Sequence, residues 1–377
     1  MNRSILAIAV AAVSFTTVSV VSAAIPSLAP LATFGGGDGW RAPNEIITGD
    51  SVAAYPYLGT TSLERGLAYN PVSGNLILVS RSTAGNGIRV LSGTTGADIG
   101  FLNQGTGVIT GGTFSTSTVG VAADGAVYVA NLQVNAGSGA FKVYQWSTEA
   151  QAAPAVFFNS TITGFAGTPR LGDSLDVTGS GAGTRVLAGA SGSTGYAIIT
   201  ASGGSSVATF APTGPAVGDF RLGATFAGSE FDVWGKQTGG TAAAAPLRRT
   251  TYAPGAGVGS NTLVSGGEMA LDYAVIAGIP YLATLDSNSS RVRIYNASNP
   301  AALALILDGT TTITPAGNGN GVGSVKFGAI NDLNSSATIY AMGANQGIQA
   351  LSIVVPEPAA LGLLAPAALM MARRRRA

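Results

Sequence analysis

The 377 residues carry 19 basic and 18 acidic side chains, only 10% of the chain, for a net charge of +1. With no Cys, disulfides, thiolate nucleophiles and Cys-type zinc sites are excluded; with no His, so is every Ser-His-Asp arrangement. Near-neutral charge, with arginines gathered in the last residues, leaves no basic face for nucleic acid.

At the start of the chain Arg3 supplies a positive charge, and residues 5–21 form an apolar stretch softened by Ser14, Thr16, Thr17 and Ser19. Val21-Ser22-Ala23 puts small residues where a signal peptidase reads, so residues 1–23 are expected to be a signal peptide and Ala24 the mature N-terminus. An uncleaved anchor is the alternative; the small residues closing the run favour cleavage.

Residues 24–353 form the body, long enough for one large β domain or two smaller ones. Its signal is β throughout. Short runs rich in β-branched residues recur, clearest at 76–79, 88–91, 126–129, 141–144, 292–295 and 338–341, with turn residues between them such as Ser73-Gly74-Asn75 and Asp124-Gly125. No segment of the body sustains a 3.6-residue period, which makes it all-β.

Repetition selects the architecture. Residues 66–69, 75–80, 87–91 and 97–102 read as four strands, and Gly120 opens a second such unit with strands at 126–130, 140–146 and 155–159. Further units open near Gly172, Gly218, Glu268 and Gly323, about 46 to 54 residues apart. Four short strands at that period predict a single β-propeller of about six four-stranded blades, five and seven being within reach of the same reading. A β-sandwich pair would not repeat near 50 residues, and a solenoid would repeat at shorter intervals. The last unit lacks its fourth strand, so residues 28–34 or 45–54 are expected to supply it and close the ring. The phrase Glu64-Arg65-Gly66-Leu67-Ala68-Tyr69-Asn70-Pro71, followed by Gly74-Asn75-Leu76, resembles blade openings in extracellular NHL- and lactonase-like propellers.

Glu64, Asp173, Asp219 and either Glu268 or Asp272 fall near the starts of inner strands, facing one rim of the central channel. A carboxylate ring there could hold Ca²⁺ through hard oxygen ligands, which the lactonase-type resemblance would turn into a hydrolytic metal site. The competing reading has each acid capping a strand start or pairing with Arg65, Arg170 or Arg221. No P-loop, EF-hand or nucleophile-elbow spacing occurs. Among the aromatics, Trp146 and Trp234 follow strand alternation and read as core; Trp40 is the third tryptophan, and Tyr55 and Tyr57 flank Pro56 among small residues, where exposed rings could stack on sugars.

The chain ends in three parts, residues 354–377. Pro356-Glu357-Pro358 is a stiff extended motif; residues 359–372 are apolar and interrupted by Pro366; Arg373, Arg374, Arg375 and Arg376 form a basic stop. A helix over the apolar run would reach roughly 21 Å, short of a hydrocarbon core of about 30 Å. The arginines would rest among anionic headgroups on the cytoplasmic side, placing the body outside. This order resembles the PEP-CTERM sorting signal of exported bacterial proteins. The resemblance implies recognition by an exosortase-type membrane protease-transpeptidase, removal of the tail, and delivery to the cell surface or an extracellular polysaccharide matrix. An ordinary tail anchor is the alternative. The expected function is thus a non-catalytic structural, adhesive or carbohydrate-associated propeller, with an extracellular metal-dependent hydrolase of lactonase type as the alternative.

Overall fold

In the computed structural model, residues 26–201, 204–208, 216–236, 246–251, 258–309, 313 and 317–356 are described. Six antiparallel sheets stand around one axis, each with its first strand innermost. The inner strands are Glu64–Tyr69 (blade 1), Phe114–Val121 (blade 2), Asp176–Thr178 (blade 3), Gly223–Phe226 (blade 4), Glu268–Ile276 (blade 5) and Gly323–Asn331 (blade 6). Each packs on the next, and blade 6 returns to blade 1. This is an all-β, six-bladed propeller with four-stranded blades, as the repeat predicts; the only helical elements among the described residues are three short 3₁₀ turns.

Packing between blades explains the strand patterns. In Asn75–Ser80, Leu76 and Leu78 enter a core shared with blade 6, while Ile77 and Val79 enter one shared with blade 2. In Val127–Leu132, Val127 and Val129 face blade 1 and Tyr128 and Ala130 face blade 3. A second strand is therefore apolar on both faces, because alternate residues fill opposite interblade cores. Outer strands face water on one side, and Ala155–Ser160 and Ala304–Asp308 are largely exposed. Inner strands approach closely: a Cβ on Gly223 would lie 1.9 Å from the Met269 carbonyl oxygen, so blades 4 and 5 meet there only with glycine.

Blade 6 is closed by the other end of the chain. Its strands Gly323–Asn331, Ser336–Gly343 and Gly347–Val354 are completed by Ser27–Pro30, antiparallel, with Ser27 opposite Val354 and Pro30 opposite Leu351. Of the two segments predicted to close the ring, the first does so. Pro30 ends this edge strand, where a missing N–H is tolerated. Trp40–Arg41 extends the same edge, and a buried Arg41–Asp50 ion pair at 2.9 Å ties the following loop down beneath blade 1.

Two blades begin later than the sequence suggests. Gly172 and Gly218 adopt left-handed φ in the loops leading in, and the strands themselves start at Asp176 and Gly223. Gly120 conversely lies near the end of its inner strand, which starts at Phe114. The expected signal peptide, the apolar run 359–372, Glu357, Pro358 and the terminal arginines lie outside the described residues, and no described helix is long and apolar enough to cross a membrane.

Candidate functional site

The four acids expected at one rim are each engaged separately. Glu64 and Glu268 are the first residues of their inner strands, and both are followed by a β-bulge. Each carboxylate turns back to cap the incoming loop: Gly59 N–H donates to Glu64 Oε1 at 2.5 Å, and Ser265 N–H donates to Glu268 Oε2 at 2.7 Å. Glu64 Oε2 also accepts from Asn345 N–H, and Glu268 Oε1 accepts from the hydroxyls of Thr284 (2.7 Å) and Tyr295 (2.8 Å). Burial, then the Glu268 charge, drives the Tyr295 phenol well above its ordinary value. Asp219 accepts from Ala216 N–H at 2.7 Å and from Arg248 at 2.9 Å. Asp173 takes a bidentate pair from Arg170, both bonds 2.7 Å, and a third from Arg221 at 2.8 Å. Among the described residues no three His, Cys, Asp or Glu side chains are grouped to hold a metal ion.

Around Asp173 the ring brings together something the sequence did not announce. Arg65, Arg81, Arg170 and Arg221 line a cavity of about 400 Å³ at the end of the channel where the inner strands begin, with Asn288 and Asn318 on its wall. Their positions are set from outside the cavity. Arg81 Nη2 donates to Ser117 Oγ at 2.8 Å, and its guanidinium stacks 3.6 Å over the Phe114 ring. Arg170 and Arg221 are held by Asp173. Burial alone would raise the Asp173 carboxyl, but the two arginines outweigh it and hold it below its usual range. Arg65 and Arg81 have no carboxylate partner among the described ion pairs, and the Nε of each is buried without a hydrogen-bond partner. Burial, reinforced by Arg65 and Arg170, pushes the Arg81 guanidinium down to about 9, and burial lowers Arg65 as well.

The opposite end of the channel is built differently. A cavity of about 480 Å³ is lined by Tyr69, Val121, Val177, Phe226, Tyr273 and Phe327, with Lys326 among them. Lys326 Nζ bridges Asp176 Oδ1 at 2.9 Å and Asp272 Oδ1 at 2.8 Å, tying blades 3, 5 and 6 across the axis. Each aspartate also accepts the backbone N–H of the next blade's inner strand: Phe226 to Asp176 at 2.8 Å, Phe327 to Asp272 at 2.7 Å. Asp272 therefore belongs to this mouth and not to the rim where it was expected. Burial pushes its carboxyl up to about 6 against the pull of Lys326; the same two acids overcome the desolvation of Lys326 and hold its ammonium above its ordinary value. Between the mouths the channel narrows to about 20 Å³ of free volume, lined by Leu67, Val119, Leu175, Leu222, Leu271 and Val325 among others.

The aromatic residues divide as follows. Trp146 and Trp234 are interblade core. Tyr55 and Tyr57 are buried too, packed edge to face beside Leu58, with Arg41 stacked 3.7 Å from the Tyr55 ring; they offer no sugar platform. Trp40 is half-buried, its indole N–H donating to the Gln346 carbonyl at 2.9 Å.

No protein-family model and no curated protein matches this sequence. Solved structures do resemble it in fold. A DUF4623 family protein from Bacteroides eggerthii overlays with a TM-score of 0.61 at 18% identity, covering 79% of this chain and 72% of its own. A protein of unknown function from Bacteroides thetaiotaomicron gives 0.51 at 12% identity over 88% and 76% of the two chains. A gluconolactonase from Xanthomonas campestris gives 0.47 at 11% identity over 89% and 95%, a likeness too distant to bear on activity. What these similarities establish is the propeller.

Proposed function

We propose that this chain is an exported, non-catalytic propeller, sorted through its C-terminal tail and held at the cell surface or in an extracellular matrix as a structural or adhesive module. The observation that supports this reading is the pairing of Ser27 with Val354 on the outer edge of blade 6. In sequence, the expected signal-peptidase site after Ala23 precedes the first of these paired strands and the Pro356-Glu357-Pro358 motif follows the second. Cutting at both would remove no strand and leave the ring closed. The tail acts as a temporary membrane hold, its short apolar run and arginine stop suiting release by an exosortase-type enzyme. The hydrolase alternative lacks an assembled carboxylate set among the described residues.

The test is the intact mass of the protein from its native host, measured separately in membrane and extracellular fractions. The expected species begins near Ala24 and lacks the residues beyond Pro358. A full-length C-terminus confined to membranes would overturn the sorting reading and leave a tail-anchored propeller.

A further inference from the structure

We propose that the arginine-lined mouth of the channel is a binding site for an oxyanion: a ligand presenting a carboxylate or phosphate flanked by hydroxyl groups, the chemistry of an acidic saccharide or a sugar phosphate. The site is distinct from the tail and does not depend on whether the tail is processed.

Charge is the first argument. Four guanidiniums, Arg65, Arg81, Arg170 and Arg221, share one cavity with a single facing carboxylate, Asp173. Glu64 attracts Arg65 but spends its hydrogen bonds on the N–H groups of Gly59 and Asn345. Desolvated like charges repel, and a fold does not gather them without a counter-charge unless the site is meant to receive one.

Preorganisation is the second. Arg81 is fixed by Ser117 and Phe114, and Ser117 is itself anchored on the Gly172 carbonyl at 2.7 Å. Arg170 and Arg221 are locked by Asp173. Planar forks held in place match the two oxygens of a carboxylate or phosphate and lose little freedom on binding.

Unmet hydrogen bonding is the third. The Nε groups of Arg65 and Arg81 are buried without partners, and so is Asn318 Oδ1, whose own amide nitrogen is committed to the Val322 carbonyl. Buried donors without acceptors are costly, and an anion is the acceptor that the two Nε groups lack; Asn318 Oδ1, itself an acceptor, calls instead for a donor such as a ligand hydroxyl. Asn288, Asn318 and Asn320 border the arginines with amides, which suit hydroxyls of the same ligand. The cavity's 400 Å³ falls within the range of about 300–1,000 Å³ typical of small-molecule sites, and the narrow waist below gives it a floor.

Calorimetric titration of the full chain with tri-galacturonate, glucose 6-phosphate, inorganic phosphate and neutral maltotriose tests the proposal. Saturable binding of at least one anion and none of maltotriose is expected, with affinity falling as salt rises; the tighter of the saccharide acid and the sugar phosphate names the ligand class. Arg65→Gln and Arg81→Gln should each weaken binding about tenfold or more. Arg65→Lys, which keeps the charge and removes the fork, should weaken it while leaving the melting temperature unchanged. Arg185→Gln, which breaks an ion pair with Glu230 elsewhere on the molecule, should leave affinity unchanged. Arg65 holds no structural partner, so its variants decide the matter even if Arg81→Gln fails to fold. The proposal is overturned if no anion binds saturably, or if affinity survives unchanged in the Arg65 variants.

Discussion

The two mouths of the channel hold cations in opposite states. At one end Lys326 is matched by two carboxylates that also bond the backbone of neighbouring blades, so every charge there is satisfied within the protein. At the other, four arginines face one aspartate, which bonds only two of them. The difference teaches how to tell a clamp from a receptacle when both are buried and polar. A saturated network has spent its bonding capacity on the fold, whereas an under-matched one keeps capacity for something else.

Lys326→Met gives the sharpest test of the clamp. It strands Asp176 and Asp272 together in a buried site and is expected to cost about 3–5 kcal/mol in denaturant unfolding. A loss below about 1 kcal/mol would show that the tie across the axis is not structural. Asp173→Asn strikes the other mouth. Releasing Arg170 and Arg221 is expected to cost about 1.5–3 kcal/mol, and added phosphate should restore part of it, which no ligand should do for Lys326→Met.

The mouths should also answer pH with opposite slopes. Asp173 titrates lower folded than unfolded, so its stabilisation is complete above the usual carboxylate range and disappears as pH falls through the folded value. Asp272 titrates higher when folded, near 6, so the native state binds its proton more tightly between about pH 4 and 6 and stability declines as pH rises through that window. Melting curves of wild type minus Asp173→Asn should therefore rise with pH at the acid end. Wild type minus Asp272→Asn should fall between pH 4 and 6, and equal slopes would erase the contrast. The smallest effect has the opposite sign: Arg65→Gln, by removing a charge whose burial outweighs the pull of Asp173 and Glu64, should raise stability by about 0.5 kcal/mol or less in low salt.

Much of the scaffold was legible because propeller strands obey local rules. Asn75–Ser80 matches its sequence pattern to the residue, since second strands alternate between two apolar cores. Blades 3 and 4 were blurred because their inner strands are short and preceded by glycine turns that resemble blade openings. The sites were less legible. Arg170 and Arg221 could be guessed as partners of a nearby acid, but Arg81 lies in a loop of blade 1 and reaches the cavity only because the ring brings blades 1 and 3 to one mouth. Asp176 left a readable trace: Leu175-Asp176-Val177 in blade 3 repeats as Leu271-Asp272-Tyr273 in blade 5. No comparable repeat marks Lys326, whose role depends on what faces it across the axis.

Closing the ring with Ser27–Pro30 against Gly347–Val354 also sets a timetable for folding. The first strand to leave the ribosome cannot find its place until nearly the last one has followed, and a loop of that length is among the slowest to close. Shortened products, stalled before residue 354, would be left with unpaired strand edges and thus marked for degradation. The ring therefore closes only once residue 354 has been made.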